Sequence, residues 1–458
     1  MDRLLISAAH KSSGKTTISI GLCHALSQAG HGVQPFKKGP DYIDPMWLGH
    51  ATGRACINLD FYTMQHEEIL QRVHQYGAGA DISLIEGNKG LYDGLDLDGS
   101  NSNAALAKLL QAPVVLVIDV RGVTRGIAPL LLGYQAFCKD IHIAGVIFNQ
   151  VGGRRHESKL RTVIEHYTDI PVIGAVARDP AMEINERHLG LVPSNEAPQV
   201  TRKINTISKL VAEQVDLDKL ISIANKAPAL PTQKTHVPPQ ISSDIKIGIA
   251  HDAAFGFYYP DDLDALQQAG AELIFFDTLQ DKALPEVDGL FIGGGFPESF
   301  LSQLSANSAM RQAIASAIEN GLPSYAECGG LMYLARSISW HGQAHDMVGI
   351  IPAAVKMHSK PQGRGYIRLR ENALHPWPSG NGITEKEIVG HEFHYSGLEN
   401  LDPSIKSVYQ VLRGYGIDGR RDGLIYKNLL ACYAHLRDTE QNHWASRFID
   451  FVRQCKAN

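Results

Sequence analysis

Ser324-Tyr325-Ala326-Glu327-Cys328-Gly329-Gly330, with Leu322-Pro323 before it and Leu331-Met332-Tyr333-Leu334 after it, is the stretch on which the reading of this chain turns. Leu322 to Tyr325 reads as the end of a buried strand, and Leu331 onward begins an apolar pattern of helical character. A cysteine between the two sits at a tight strand-to-helix turn. Such a turn holds a nucleophile out of the sheet, with backbone N–H groups of the helix start around it. A buried, inert thiol is the plainer reading of any single cysteine, so two distant stretches have to decide.

Phe291-Ile292-Gly293-Gly294-Gly295-Phe296-Pro297-Glu298 reads as an apolar strand ending in three glycines. Consecutive glycines let backbone approach a ligand closely and turn N–H groups toward an anion. Amides near Gly294 and Gly295 would form an oxyanion hole for an acyl group on Cys328. Leu429-Leu430-Ala431-Cys432-Tyr433-Ala434-His435-Leu436 reads as a strand that delivers a histidine. A cysteine followed about a hundred residues later by a histidine is a workable order for nucleophile and base. His391 and His394, in Gly390-His391-Glu392-Phe393-His394-Tyr395-Ser396, are rivals to His435. Whichever loses is a satisfied structural histidine.

The N-terminal half carries a different chemistry. Leu4 to Ala9 reads as a buried strand, followed by His10-Lys11-Ser12-Ser13-Gly14-Lys15-Thr16-Thr17 and a helix from Ile18 to Ala29. Strand, small-residue loop, Gly-Lys-Thr and helix form the context of a phosphate loop, although Ala9 stands where the first glycine of the motif belongs. Ser13, Gly14, Lys15, Thr16 and Thr17 would then bind ATP, with Lys15 on the outer phosphates and the Thr16 hydroxyl on Mg²⁺. After a strand from Gly32 to Phe36 comes Lys37-Lys38-Gly39-Pro40-Asp41-Tyr42-Ile43-Asp44-Pro45, expected as a rigid polar loop rather than a helix. It is either a solvated turn or a ligand loop at the end of a sheet strand. In the second case Asp41 would hold Mg²⁺, while Lys37, Lys38, Tyr42 and Asp44 would meet substrate or phosphate. Glu86, closing the strand Asp81 to Gly87, is a further carboxylate for the metal. Asn149, closing the strand Ile143 to Asn149, would contact adenine or serve as a cap.

Strands alternating with helical patterns imply parallel sheets with helices on both faces. With 458 residues the expected division is an ATP-binding domain over 1–225, a proline-rich linker over 226–243 and a second domain over 244–458 that carries the cysteine and the histidine. A net charge of −5, with 20% charged and 44% hydrophobic residues, gives no reason to expect nucleic acid or an anionic membrane as partner. Six cysteines without a CxxC pair argue against a disulfide framework and a zinc site. No signal peptide and no membrane span are expected, which points to the cytoplasm.

Taken in order, these motifs resemble the cobyrinate a,c-diamide synthase family. The residues that carry the likeness are Gly39 to Pro45, Glu86 with Gly90-Leu91-Tyr92-Asp93-Gly94, Gly293 to Glu298, Cys328-Gly329-Gly330 and Tyr433-Ala434-His435. The resemblance implies an α/β chain of two doubly wound domains: a P-loop domain like dethiobiotin synthetase and a class I, triad-type glutamine amidotransferase. It implies that Cys328 attacks glutamine, that amides near Gly294 and Gly295 hold the oxyanion and that His435 is the base. Many such amidotransferases have a glutamate two residues after the histidine, where this chain has Arg437. That leaves a dyad whose orienting group is unidentified. The implied reaction is ATP- and glutamine-dependent amidation of the a and c acetates of a tetrapyrrole through an acyl phosphate, with Mg²⁺ and ATP required. The partners would be small molecules, with a homodimer compatible. Asn88-Lys89 stands before Gly90 where typical cobyrinate enzymes are expected to be less polar, and Lys360-Pro361-Gln362-Gly363-Arg364-Gly365-Tyr366 and Gly416-Ile417-Asp418-Gly419 look like the sirohaem-amidating branch, which stays open as an alternative. A second alternative is a partitioning-type ATPase switch with an inactive amidotransferase domain.

Overall fold

The computed structural model describes all residues except 185, 188–189, 197–198, 232–242, 379–385 and 458. It divides into two compact units, Met1–His236 and Val237–Asn458. Most of the stretch expected as a linker lies outside the described residues, but 226–231 is packed onto the first unit. The buried Arg3 guanidinium donates to Pro228 O at 2.6 Å, the His74 ring reaches Pro231 O at 3.0 Å, and Leu230 joins the first unit's core. Its prolines leave carbonyls for side chains to bind but few N–H groups to satisfy, so the segment docks without secondary structure of its own.

The first unit is built on a seven-stranded sheet, all parallel, in the order Ile57–Leu59, Val33–Lys38, Ile82–Glu86, Asp2–Ala8, Val114–Asp119, Ile143–Val151, Val172–Ala177. Its central strands are near-continuous apolar runs because helices cover both faces. Phe36, Ile57, Ile85, Leu116 and Phe148 are among the fully buried side chains, each stabilising the fold by about 1.5–3 kcal/mol. The order reverses around Asp2–Ala8, which sets the ligand crevice at the carboxyl ends of that strand and its neighbours. Lys37 and Lys38 prove to be the last residues of their strand, and Ile43–Thr52 is a helix rather than a continuing loop. Pro45 falls in that helix's first turn, where the missing N–H costs nothing. Asp41 Oδ1 caps the turn by accepting from Ile43 N at 2.9 Å and Asp44 N at 3.1 Å.

The second unit holds a nine-stranded mixed sheet. Five strands run parallel in the order Ala271–Phe276, Ile245–Ala250, Gly289–Ile292, Ser324–Glu327, Leu429–Cys432. The sheet then continues antiparallel through Arg421–Tyr426, Lys406–Arg413, Gly363–Glu371 and Glu387–His394. Only its first part is therefore the parallel arrangement expected of a doubly wound domain. Ser324–Glu327 has the glycine-ended strand on one side and the histidine-bearing strand on the other. Ile292 is level with Ala326, and Cys432 with Glu327. Residues far apart in sequence thus leave one sheet edge side by side. Beneath them Tyr325 packs against Phe291, Trp377 and Trp444 at ring separations of 5.0–5.2 Å. Among the described residues no helix is long and apolar enough to cross a membrane.

Candidate functional site

Cys328 stands between the strand Ser324–Glu327 and the buried helix Gly329–Leu334. Its φ of 47° and ψ of −101° lie in a sparsely populated region that costs about 1–3 kcal/mol. The turn is held by Cys328 N donating to Cys432 O at 2.7 Å and by Met332 N donating to Cys328 O at 3.0 Å. A Cβ on Gly330 would lie 2.1 Å from Ile292 O, so only a bare residue lets the helix start this close to the neighbouring strand.

Gly294–Gly295 pairs antiparallel with Phe255–Phe257. Just before it, Gly293 N donates to the Tyr258 hydroxyl at 2.9 Å, and that hydroxyl donates to Ala250 O at 2.5 Å. The glycine turn is thereby pressed onto both other parts of the site. A Cβ on Gly329 would lie 3.0 Å from Gly295 N, and one on Gly294 would lie 2.5 Å from His435 Cε1.

His435 is buried, and its backbone is bridged to His391 through both N–H groups, at 2.7 and 3.1 Å. Asp422 holds the preceding residues, its carboxylate accepting from Tyr433 N at 3.0 Å and Ala434 N at 2.9 Å. Glu327 holds the following one, Oε1 accepting from Leu436 N at 2.9 Å, while its Oε2 lies 3.4 Å from His435 Nδ1. Burial opposes charge on this imidazole, yet hydrogen bonds with Cys328 and Glu327 raise its pKa to about 10. The rival histidines are occupied differently. His391 is driven down to about 3 by burial and by the charge of His435. His394 stacks on Tyr433 at 3.9 Å, with Nδ1 against Ser396 O at 2.8 Å. Arg437, two residues beyond His435, is ion-paired with buried Asp261 and lies over the Tyr259 ring at 4.3 Å. Glu327, Asp422 and Tyr258 are given no role by the sequence reading, and of these Glu327 is the one within 3.4 Å of the His435 ring. Its signal was its position immediately before the nucleophile.

In the first unit, Gly14 adopts φ 83° at the N-terminus of the helix Lys15–Gln28, with no side chain capping the free N–H groups. That leaves the helix start open to an anion. Asn149 Nδ2 donates to Ser13 O at 2.9 Å, and a Cβ on Gly14 would lie 2.1 Å from that amide nitrogen. Asn149 therefore braces the loop from below. Lys15, Thr16 and Thr17 form the first turn of the helix. Thr16 Oγ1 donates to Glu86 Oε1 at 2.8 Å and to Asp44 Oδ2 at 3.1 Å. Lys37 Nζ sits between the same two carboxylates, 2.5 Å from Asp44 and 2.8 Å from Glu86, with Asp41 at 3.7 Å. Burial works against the Lys37 charge, but the three carboxylates hold its pKa well above the usual lysine value. For Asp44 burial would raise the pKa, but the Lys37 ammonium, the Thr16 hydroxyl and the Lys15 charge together lower it. Asp41 is raised to about 7 by burial and by Asp44. Of the residues expected at a metal, Thr16 and Glu86 are in contact, Asp44 joins them, and Asp41 is engaged at the helix cap. Lys38 is buried 3.5 Å from Asn88 Oδ1 and lowered to about 8 by burial, and Tyr42 is buried at the start of the Ile43–Thr52 helix. The structure brings all these residues to one end of the sheet.

Residues 5–192 match the family described as the CobQ/CobB/MinD/ParA nucleotide binding domain, and 246–442 match the CobB/CobQ-like glutamine amidotransferase domain. Cobyrinate a,c-diamide synthase of Magnetococcus marinus is 45% identical over 99% of this chain and 97% of its own length. Proteins of the same name are 42% identical in Methanosarcina acetivorans, over 100% of this chain and 96% of that protein, and 41% identical in Archaeoglobus fulgidus, over 98% and 96%. Likeness of this degree, running through both units and through the relatives' full length, means that the chain belongs to the cobyrinate a,c-diamide synthase family.

Proposed function

We propose that the chain converts the a and c acetate carboxylates of cobyrinate to amides, using ATP to activate each carboxylate and glutamine as the nitrogen source. The observation that carries this reading is the packing of Cys328, the Gly294–Gly295 turn and His435 at adjacent strand ends. In the glutaminase half His435 takes the thiol proton, and Cys328 Sγ attacks the glutamine side-chain carbonyl. Amides of the glycine turn receive the oxyanion. The C–N bond then breaks as His435 returns its proton to the departing ammonia, and water hydrolyses the thioester to glutamate. In the synthetase half a substrate carboxylate oxygen attacks the γ-phosphorus of ATP, releasing ADP. Ammonia displaces phosphate from the acyl phosphate, forming the amide.

Ser13 to Thr17 would cradle the phosphates, with Lys15 neutralising the outer ones. Lys37 and Lys38 are the further cations for substrate or phosphate, beside Tyr42 and Asp44. Mg²⁺ fits the donor set: Thr16 Oγ1, Asp44 and Glu86 supply hard oxygen atoms, and Glu86 Oε2 is buried without a hydrogen-bond partner. When bound, the ion would offset charge on the transferring phosphoryl group. The reading includes a cytoplasmic setting and small-molecule partners rather than nucleic acid or membrane. A homodimer is compatible with the exposed Leu132 and Phe137 on one helix.

The names of the relatives favour a corrin over sirohaem, and an ATPase switch has no use for a gathered nucleophile and base. The test is to incubate the protein with Mg-ATP, glutamine and either cobyrinic acid or sirohaem, and to follow product mass. Two successive amidations of the corrin alone are expected. Amidation of sirohaem alone would overturn the substrate, and ATP hydrolysis without product from either would overturn the ligase.

A further inference from the structure

We propose that Glu327 is the positioning carboxylate of the glutaminase site, holding His435 through Nδ1 so that Nε2 is presented to Cys328. The inference rests on the reading of Cys328 and His435 as nucleophile and base. Among the described carboxylates around His435, Glu327 is the one with an oxygen to give. Its Oε1 is fixed by the Tyr325 hydroxyl at 2.6 Å and by Leu436 N at 2.9 Å, and its Oε2 lies 3.4 Å from Nδ1. Asp422 is occupied by the N–H groups of Gly423, Tyr433 and Ala434, and Glu392 by those of Tyr415 and Gly416. A carboxylate two residues after the histidine is ruled out by the buried pair of Arg437 and Asp261 at that place. The orienting group therefore comes from the residue before the nucleophile, on the central strand.

A fixed acceptor on one ring nitrogen decides which tautomer the other presents and stabilises the imidazolium that forms during the reaction. Tyr325, whose ionisation burial suppresses, remains a donor and keeps Glu327 from turning. Among the described residues, the titratable groups facing His435 are Cys328 and Glu327 from the nucleophile turn and His391 from the strand Glu387–His394; the glycine turn Gly293–Gly295 has none. His391 stays neutral across the range in which the enzyme would be assayed. Loss of the Glu327 charge is therefore read out through His435.

The experiment compares wild type, Glu327→Gln and Glu327→Asp in the full chain, measuring glutamine hydrolysis from pH 6 to pH 10.5. Folding is checked by circular dichroism and thermal unfolding. Glu327→Gln is expected to lower kcat on the order of 100-fold, with KM for glutamine changed by less than about threefold. The basic limb of the kcat/KM profile, where His435 loses its proton, should move down by about one pH unit or more. Glu327→Asp should recover kcat to within about tenfold of wild type and move the limb back part of the way. A wild-type basic limb in Glu327→Gln marks a structural carboxylate and overturns the inference, as does unchanged kcat. If Glu327→Gln does not fold, Glu327→Asp decides alone: the limb moves down with kcat, or the inference falls. Wild-type hydrolysis by Cys328→Ser would instead overturn the parent reading, so the two failures are told apart.

Discussion

Gly294→Ala is the sharpest perturbation the glutaminase site offers, because it adds one methyl and removes nothing. The backbone N–H that would serve the oxyanion is kept, and Gly294 is not among the residues with positive φ, so alanine meets no conformational penalty. The new Cβ would lie 2.5 Å from His435 Cε1 and 3.3 Å from Phe257 Cβ. Ordinary carbon contacts begin near 3.4 Å, so the imidazole has to retreat by about 0.9 Å (3.4 − 2.5). It cannot retreat with its backbone, which is bridged to His391 on both sides. The ring must rotate, and the displacement falls on its contacts with Cys328 and Glu327. A shift of about 1 Å in a catalytic group costs on the order of 100-fold in rate, or about 2.7 kcal/mol in the barrier. The assay is amide formation with glutamine, set against amide formation with an ammonium salt at raised pH. Glutamine-driven turnover should fall about 100-fold while ammonium-driven turnover persists, with little change in thermal stability. A variant that hydrolyses glutamine at the wild-type rate would refute the placement of His435 against the glycine turn.

Other perturbations test other parts of the molecule. Lys37→Met leaves Asp44 and the fully buried Glu86 facing each other without their shared cation, and should cost about 3–5 kcal/mol of stability. Added Mg²⁺ should return part of it in a thermal melt, and an unshifted melt would sink this account of the carboxylate pair. Lys15→Ala should abolish amide formation and leave glutamine hydrolysis running, whereas equal loss of both would contradict two separable chemistries. Asp422→Asn carries a pH dependence with a definite sign. Burial raises this carboxyl from 3.8 to about 6, against the pull of three backbone N–H groups. The folded state therefore favours its protonated form, and its stabilisation is full below pH 3.8 and lost as pH rises through 6. Asparagine does not titrate, so the stability gap between variant and wild type should shrink by about 3 kcal/mol across that window (2.2 × 1.36). Parallel stability–pH curves from chemical denaturation would show that Asp422 is not the group responsible.

Much of this architecture is legible in the chain because its motifs sit at strand ends. An apolar run followed by Gly-Gly-Gly, by Cys-Gly-Gly or by a histidine says where a sheet stops and chemistry can start. It does not say which strands are neighbours. Sequence cannot show that Glu327 meets His435, since that contact depends on Ser324–Glu327 and Leu429–Cys432 lying next to each other in register. That Asp44, and not Asp41, touches Thr16 has a local cause. The helix begins at Ile43 despite Pro45, because proline breaks a helix only beyond its first turn. Lys37 and Lys38 read as loop because lysine is rarely buried, whereas here paired carboxylates keep Lys37 in the interior. The antiparallel half of the second sheet left no comparable mark, its strands being half-exposed and interrupted by polar residues.

The carboxylates on either side of His435 have a consequence for motion. The amides of residues 433, 434 and 436 are each bound by a buried carboxylate, and that of residue 435 by His391. Three of these four successive N–H groups thus cannot release their partner without stranding a charge, and the fourth is held in the sheet by a backbone carbonyl. Opening this segment requires separating strands at the centre of the sheet. Its amide hydrogens should therefore exchange with solvent only on global unfolding of the unit, among the slowest in the chain. Whatever movement accompanies glutamine binding has to come from the surrounding loops, while the base turns on its side-chain bonds about a fixed backbone.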